Sequence, residues 1–200
     1  MEEKRTRYPS FDLLKYQDEW DPHTREIVLK RLGPFDQPKV LKDVEVNLIK
    51  TIASHLVYDD RHDLLDYMVH HMDQKLTAKM GESQRKPTIP PEKQLIQEGL
   101  TAINNYAKGS YHQSFTELTT DQQFSILSSL QEGQIKPLPG WDKEKQQALF
   151  KKLSSEIISA YFSHPIVWSE IGYGGPAYPR GYVRVEQGLT DPWEARQDEK

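Results

Sequence analysis

An all-α fold is predicted for this chain: an array of about six helices with an irregular, aromatic, Gly/Pro-rich C-terminal extension. Three features of the sequence predict it. Apolar residues recur at spacings of three and four through most of the first 160 or so positions, which is the period of a buried helix face. The periodic segments open on Asp, Thr or Pro and close on Gly or Gly-Pro, the expected start and stop chemistry of helices. Strict apolar/polar alternation, the mark of a half-buried strand, hardly occurs.

The elements follow in order. "WDPHTREIVLKRLGP" offers Asp21 as N-cap, Pro22 at the first helical position and Gly33-Pro34 as terminator. From about 40 to 57, Val40, Leu41, Val44, Leu48, Ile49, Ile52 and Leu56 form one stripe. A third helix carries Leu64, Leu65, Met68, Val69, Met72 and Leu76 and is expected to stop at Gly81. After the polar connection 81–89, Pro90-Pro91 opens a helix with Leu95, Ile96, Leu100, Ile103 and Tyr106 that should end at Gly109. Thr119 with Gln122 three residues on reads as a capping box for a helix holding Phe124, Ile126, Leu127 and Leu130, closed by Gly133. A helix from about 142 to 162 places Leu149, Phe150, Leu153, Ile157, Ile158 and Tyr161 on its faces, and "PIVWSEIG" forms a short helical piece after it. Beyond Tyr173 the Gly and Pro residues break any helical period.

At 200 residues the chain is long enough to bury an ample core. The expected organisation is an N-terminal arm over 1–20, one helical domain over 21–185 and a frayed tail over 186–200. The arm contains Tyr8, Phe11, Leu13, Leu14, Tyr16 and Trp20, too apolar for a plain disordered tail, so it should pack on the domain or on a partner. With no cysteine there is no thiolate chemistry and no Cys-ligated metal. A net charge of −4 argues against nucleic acid as a ligand, because phosphate contacts need concentrated Lys and Arg. No apolar run is long enough to insert into a membrane, and none resembles a signal-peptide core.

Residues able to carry chemistry are few. In "YDDRHDLLDYMVHHMD", His62, Asp66 and His70 fall at i, i+4 and i+8 on one helix face, with His71 beside them. A metal-dependent helical enzyme would use such a set, since two imidazoles and a carboxylate are a common metal triad. Ligands spread over two turns do not converge on one ion without help from another segment, and the alternative is a solvated face with Asp59 or Asp60 as N-cap and an exposed Asp66–His70 pair. "GYGGP" invites a phosphate-loop reading, but Pro176, Pro179 and Gly181 follow where a helix N-terminus is required. Ser163 and His164 are neighbours, and no Gly-x-Ser-x-Gly elbow surrounds a serine; His164 reads as a helix-end residue near terminal carbonyls. No catalytic, cofactor or metal residue is assigned.

What remains is "YFSHPIVWSEIGYGGPAYPRGY", residues 161–182. A backbone this rich in Gly and Pro cannot satisfy itself in a helix or ladder, so it must run over a surface held by its side chains. Trp168, Tyr173, Tyr178 and Tyr182 either wrap back onto the chain's own helices or, with Arg180 and Arg184, face a partner. Tyr, Trp and Arg are the residues most enriched at interface hot spots.

These residues resemble a known pattern. "FTELTTDQQFSILSSLQEG", then "AYFSHPIVW", then "EIGYGGPAYPRGY" look like the signature of the gluconate 2-dehydrogenase subunit 3 family, the small or γ subunits of bacterial flavin dehydrogenase complexes. The family's f-L-t-x-x-Q-q-x-i-L segment is matched by Phe115, Leu118, Gln122, Ile126 and Leu127. Its F-x-(S/T)-(H/D)-P turn is matched by Phe162, Ser163, His164 and Pro165, and its W-x-x-I-G-Y-x-G run by Trp168, Ile171, Gly172, Tyr173 and Gly175. "IKTIASHLVYDD" is similar to a helix that ends in an I-P-x-D-D-like turn, with Val57-Tyr58 in place of Ile-Pro. The resemblance implies a non-catalytic accessory subunit that binds, stabilises and helps mature or export a large FAD-dependent sugar or alcohol dehydrogenase subunit. FAD and substrate would then belong to that partner, and this chain would hold no cofactor. Many members carry a twin-arginine signal; its absence here predicts a cytoplasmic location, or export alongside a signal-bearing partner.

Overall fold

The computed structural model describes residues 6–78, 86–181, 183–184, 186 and 188–196. Among these are seven α-helices, three 3-10 turns and no strand, so the all-α reading holds: the six expected segments are helical, and the short piece makes the seventh. Gly81, expected to stop the third helix, lies outside the described residues, as do 1–5 of the arm and 197–200 of the tail.

The chain divides into two compact units, Phe35–Ala160 and the combination of Met1–Pro34 with Tyr161–Lys200, called here the central and the terminal unit. The central unit holds α2 (Asp43–Val57), α3 (His62–Thr77), α4 (Glu92–Tyr111), α5 (Thr120–Glu132) and all but the last residue of α6 (Lys143–Tyr161). Its core is built from the predicted stripes: Leu48, Ile49 and Ile52 of α2, Leu64, Met68 and Met72 of α3, Ile96, Leu100 and Ile103 of α4, Leu130 of α5, and Leu149, Leu153 and Ile157 of α6 are all but fully buried. Each contributes about 1.5–3 kcal/mol by leaving water. The Thr119–Gln122 capping box forms as read, with Gln122 N donating to Thr119 Oγ1 at 3.4 Å and Thr119 N to Gln122 Oε1 at 3.0 Å.

Three boundaries differ from expectation. α2 starts at Asp43, which turns Val44 outward (60% exposed) and brings Glu45 inside, where its carboxylate accepts Lys42 N at 2.8 Å. α4 runs through Gly109 to Tyr111 and ends where His112 takes the left-handed conformation at φ 58°, a position Gly would fill with less strain. α3 has Arg61 at its N-cap position with no side-chain cap bond; Asp59 instead chelates the Arg61 guanidinium and accepts its backbone N–H.

Polar side chains stitch the central unit's loops. Asp73, 5% exposed on α3, accepts Lys39 N at 2.8 Å and Val40 N and Leu41 N at 2.9 Å. Asn104 Oδ1 accepts Phe115 N, and Gln123 Nε2 donates to Phe115 O, so two amides hold the 3-10 turn Phe115–Glu117. Glu156, 6% exposed, receives Lys75 and Lys152, and Lys152 also reaches Glu92 at 2.8 Å, tying α3, α4 and α6.

The terminal unit contains α1 (Pro22–Leu29), α7 (Pro165–Ile171) and the 3-10 turn Leu13–Glu19. Asp21 caps α1 as expected, accepting from His23 N and Thr24 N. Phe11, Leu13, Trp20, Val28, Trp168 and Ala195 form its core, with Tyr8 and Tyr16 against it. Within 186–200, expected to fray, Asp191 is 1% exposed and Ala195 is buried.

Candidate functional site

The aromatic segment is fixed by side chains drawn from both ends of the chain. α7 begins at Pro165, with His164 as its N-cap: the ring is 1% exposed and Nδ1 accepts Ile166 N at 3.3 Å. His164 therefore serves a helix start and its N–H groups, a correction to the expected role at terminal carbonyls. α7 is held from the N-terminal residues, where Leu13 N donates to Ser169 Oγ at 3.0 Å and Thr6 Oγ1 to Glu170 O.

The "GYGGP" turn has no phosphate-binding geometry. Gly172 sits at φ 77°, and a Cβ there would meet Tyr8 Cε2 at 2.6 Å and Ala195 Cβ at 2.9 Å. Gly175, at φ 79°, would place a Cβ 2.9 Å from Leu13 Cδ1 and 3.0 Å from Trp20 Cζ2. Both positions demand glycine twice over, by left-handed conformation and by the close approach of the chain's own rings and aliphatics.

The six interface candidates separate into distinct roles. Trp168 is 8% exposed; it donates Nε1–H to Phe162 O, lies under the Arg31 guanidinium at 5.2 Å, and takes the edge of Tyr173 at 5.3 Å. Arg180, its side chain 5% exposed, is an internal clamp: Nη2 donates to Gly174 O at 2.6 Å and Pro176 O at 3.1 Å, Nη1 pairs with Glu19 at 3.2 Å, and the guanidinium stacks on Trp193 at 4.7 Å. Tyr173 is 40% exposed and Tyr178 71% exposed. Arg184 is exposed, with its backbone N–H on the buried Asp191 carboxylate at 2.9 Å and Nη1 on Thr190 O at 3.2 Å. Tyr182 lies outside the described residues.

The same segment presents four further apolar side chains that the aromatic pattern did not single out as interface residues: Phe162, Ile171, Val183 and Leu189, 48–68% exposed. For Val183 and Leu189 the available signal is their position in a stretch without helical period, where an isolated aliphatic has no stripe to join; Phe162 directly follows α6 and Ile171 is the last residue of α7.

The histidine cluster does not assemble. His62 is exposed, Asp66 pairs with Lys50 of α2, and His70 stacks on Phe35 with ring centroids 4.7 Å apart. The expected Asp66–His70 pair is thus replaced by contacts to other segments, and among the described residues no three His, Asp or Glu side chains are grouped to hold one ion. Nor, among them, is any helix long and apolar enough to cross a membrane.

Fold and site together define a helical protein that displays aromatic and aliphatic side chains from an irregular segment locked onto its own core. The chain belongs to the gluconate 2-dehydrogenase subunit 3 family, whose model matches residues 43–175. No curated protein and no solved structure matches it.

Proposed function

We propose that this chain is a non-catalytic small subunit that binds and stabilises the large FAD-dependent subunit of a gluconate-type dehydrogenase complex. The observation that carries the reading is the segment from Phe162 to Leu189, where, among the described residues, six large apolar side chains stand 40–71% exposed. Exposed apolar groups scattered on mobile chain mean little, but these stand on a backbone already clamped by Arg180, Trp168, His164 and Asp191. Their ordering entropy is met by the fold, so partner burial is returned as affinity. A Tyr seated in a partner pocket contributes on the order of 2 kcal/mol. Family membership supplies the kind of partner, an oxidoreductase subunit. In this reading FAD and substrate reside in the large subunit.

Co-expression with the dehydrogenase subunit tests the proposal. One-to-one co-purification, and a dehydrogenase that loses solubility or FAD when this chain is omitted, are the expected results. A dehydrogenase that is fully active and stable alone, with no capture of this chain, refutes it.

A further inference from the structure

The terminal unit holds a cation that the fold positions but does not pair. Arg31 lies in the 3-10 turn Lys30–Leu32 that follows α1 and is half-buried. Four arginines among the described residues are not exposed. Three of them meet a carboxylate: Arg25 on Asp18 at 3.3 Å, Arg61 on Asp59 at 2.6 Å and Arg180 on Glu19 at 3.2 Å. Arg31, the fourth, meets none among the described residues.

Its guanidinium is nevertheless held in place. Nη1 donates to Ser163 O at 2.7 Å, and the group lies over the Trp168 ring at 5.2 Å. Trp168 is itself fixed by its Nε1–H on Phe162 O and by the edge of Tyr173. Nε and Nη2 have no acceptor among the described residues, and both stay open to solvent. Their N–H groups leave one edge of the plane in parallel, the spacing that takes both oxygens of a carboxylate. A fork already stacked on an indole has given up much of its rotamer freedom, so less is lost when it binds.

The surface beside this cation is apolar. Phe162, next in the chain to the Ser163 carbonyl, is 50% exposed, and Tyr173, against Trp168, is 40% exposed. A partner that covers these two rings takes water from Arg31 as well. A purely apolar partner would then strand a charge away from water, which is strongly unfavourable, so the covering surface must bring an anion to the Nε–Nη2 edge. A polyanion would need several cations together, whereas the chain carries a net charge of −4. A single carboxylate in an apolar surround fits instead.

We propose that Arg31 is the charged anchor of the partner interface and takes an Asp or Glu side chain of the dehydrogenase subunit in a bidentate pair, flanked by Phe162 and Tyr173. The proposal rests on the reading above that such a subunit is bound.

The test uses the full chain and the dehydrogenase subunit. A photo-cross-linking benzophenone residue at position 162 locates the contacting segment of the dehydrogenase, whose Asp and Glu residues are then changed singly to Asn and Gln. Affinity is measured for the native chain, Arg31→Lys and Arg31→Gln against each. Arg31→Gln is expected to weaken binding about thirtyfold or more and Arg31→Lys about tenfold, because a point charge does not replace the fork. One acidic substitution should cost the native chain a similar factor and cost Arg31→Gln nothing further. Losses that add at every acidic position mean that Arg31 only props Ser163 and Trp168, and they overturn the pair. Native affinity in Arg31→Gln overturns it too, as does a labelled segment without Asp or Glu, or label found only on a second copy of this chain. The labelling outcomes need no arginine variant, so they decide the matter even if one misfolds. Any of these results with the dehydrogenase captured leaves the complex intact; if the native protein captures no dehydrogenase, both readings fall.

Discussion

The central and terminal units solve the same problem, a backbone that must be satisfied away from water, by opposite means. In the central unit helices consume their own N–H and C=O groups, and side chains are left to pack in stripes. Polar residues there act at a few junctions, Asp73 on residues 39–41 and Gln146 on the Ile135–Trp141 loop. In the terminal unit the described residues after α7 form no ladder and no helix, so Arg180, Asp191 and the Leu13–Trp20 region take over the work of secondary structure. The consequence is a difference in what each surface can display. A helix must bury its apolar stripe, whereas an irregular segment pinned by a few clamps can hold Tyr178, Val183 and Leu189 in solvent at 71%, 68% and 51% exposure.

The largest expected effect tests the junction side of that comparison. Asp73→Ala strands three backbone N–H donors at once, each costing about 1–3 kcal/mol when buried, for a loss of roughly 3–5 kcal/mol measured by chemical denaturation. Asp73→Asn should fall between, because an amide nitrogen would then face the N–H of Lys39. Burial pulls the Asp73 carboxyl upward, but the N–H groups of Lys39, Leu41 and Val40 outweigh it and hold it below its ordinary value, with the His70 charge adding to them. A depressed carboxyl contributes stability that is fully present above its unfolded value, near pH 4, and is lost as pH falls through the folded one. Stability should therefore drop below about pH 4, less steeply in Asp73→Asn; an identical acid profile in the two proteins would remove Asp73 as the anchor.

Next in size is Gly175→Ala, which asks whether close approach fixes the irregular segment. The new Cβ meets Leu13 and Trp20 at a positive φ, so about 2–3 kcal/mol of strain and overpacking is expected. Hydrogen exchange should accelerate at residues 164–176 while the α3 and α4 amides keep their protection. Uniform acceleration would mean that the two units do not differ in the way described.

Helices, the caps at Asp21, Thr119 and Gly133, and most of the central core are legible because they depend on local residue types and on spacings of three and four residues that the sequence displays directly. Asp73 shows where this stops. It continues the Leu65–Val69 row at i+4, a spacing that places it on the buried face, but its partners lie 32–34 residues earlier in a loop with no periodicity. Gly172 and Gly175 announced a turn; that Tyr8, Leu13 and Trp20 would lie against them depends on contacts across more than 150 residues, which no local pattern records. Composition alone marks Arg180 as a hot-spot residue, whereas its side chain is only 5% exposed, in contacts with Gly174, Pro176, Glu19 and Trp193.

Arg180→Lys sharpens this last distinction. Lys keeps the charge near Glu19 but cannot span two carbonyls with a planar fork or stack as well on Trp193. A loss of about 1–2 kcal/mol is expected, seen as faster proteolysis within 174–190, with partner binding weakened in proportion to the loosened segment. Were Arg180 instead a contact residue, binding would fall and proteolysis would not change.

The smallest expected effect on stability belongs to Tyr178→Ala, and it carries the functional contrast. The matched family stretch ends at residue 175, so the clamped glycines fall inside it and Tyr178 beyond it. With the ring 71% exposed, truncation removes little native packing, and the melting curve should shift by less than about 0.5 kcal/mol. Binding to the dehydrogenase subunit should nevertheless weaken about tenfold or more, the cost of emptying one aromatic pocket. Val44→Ala provides the matched control from the central unit: also solvent-facing, at 60% exposure, but on a helix whose apolar stripe is buried elsewhere, and expected to leave both stability and binding unchanged. If Val44→Ala weakens binding and Tyr178→Ala does not, the partner is held by the helical surface, and the pinned segment is a structural wrap alone.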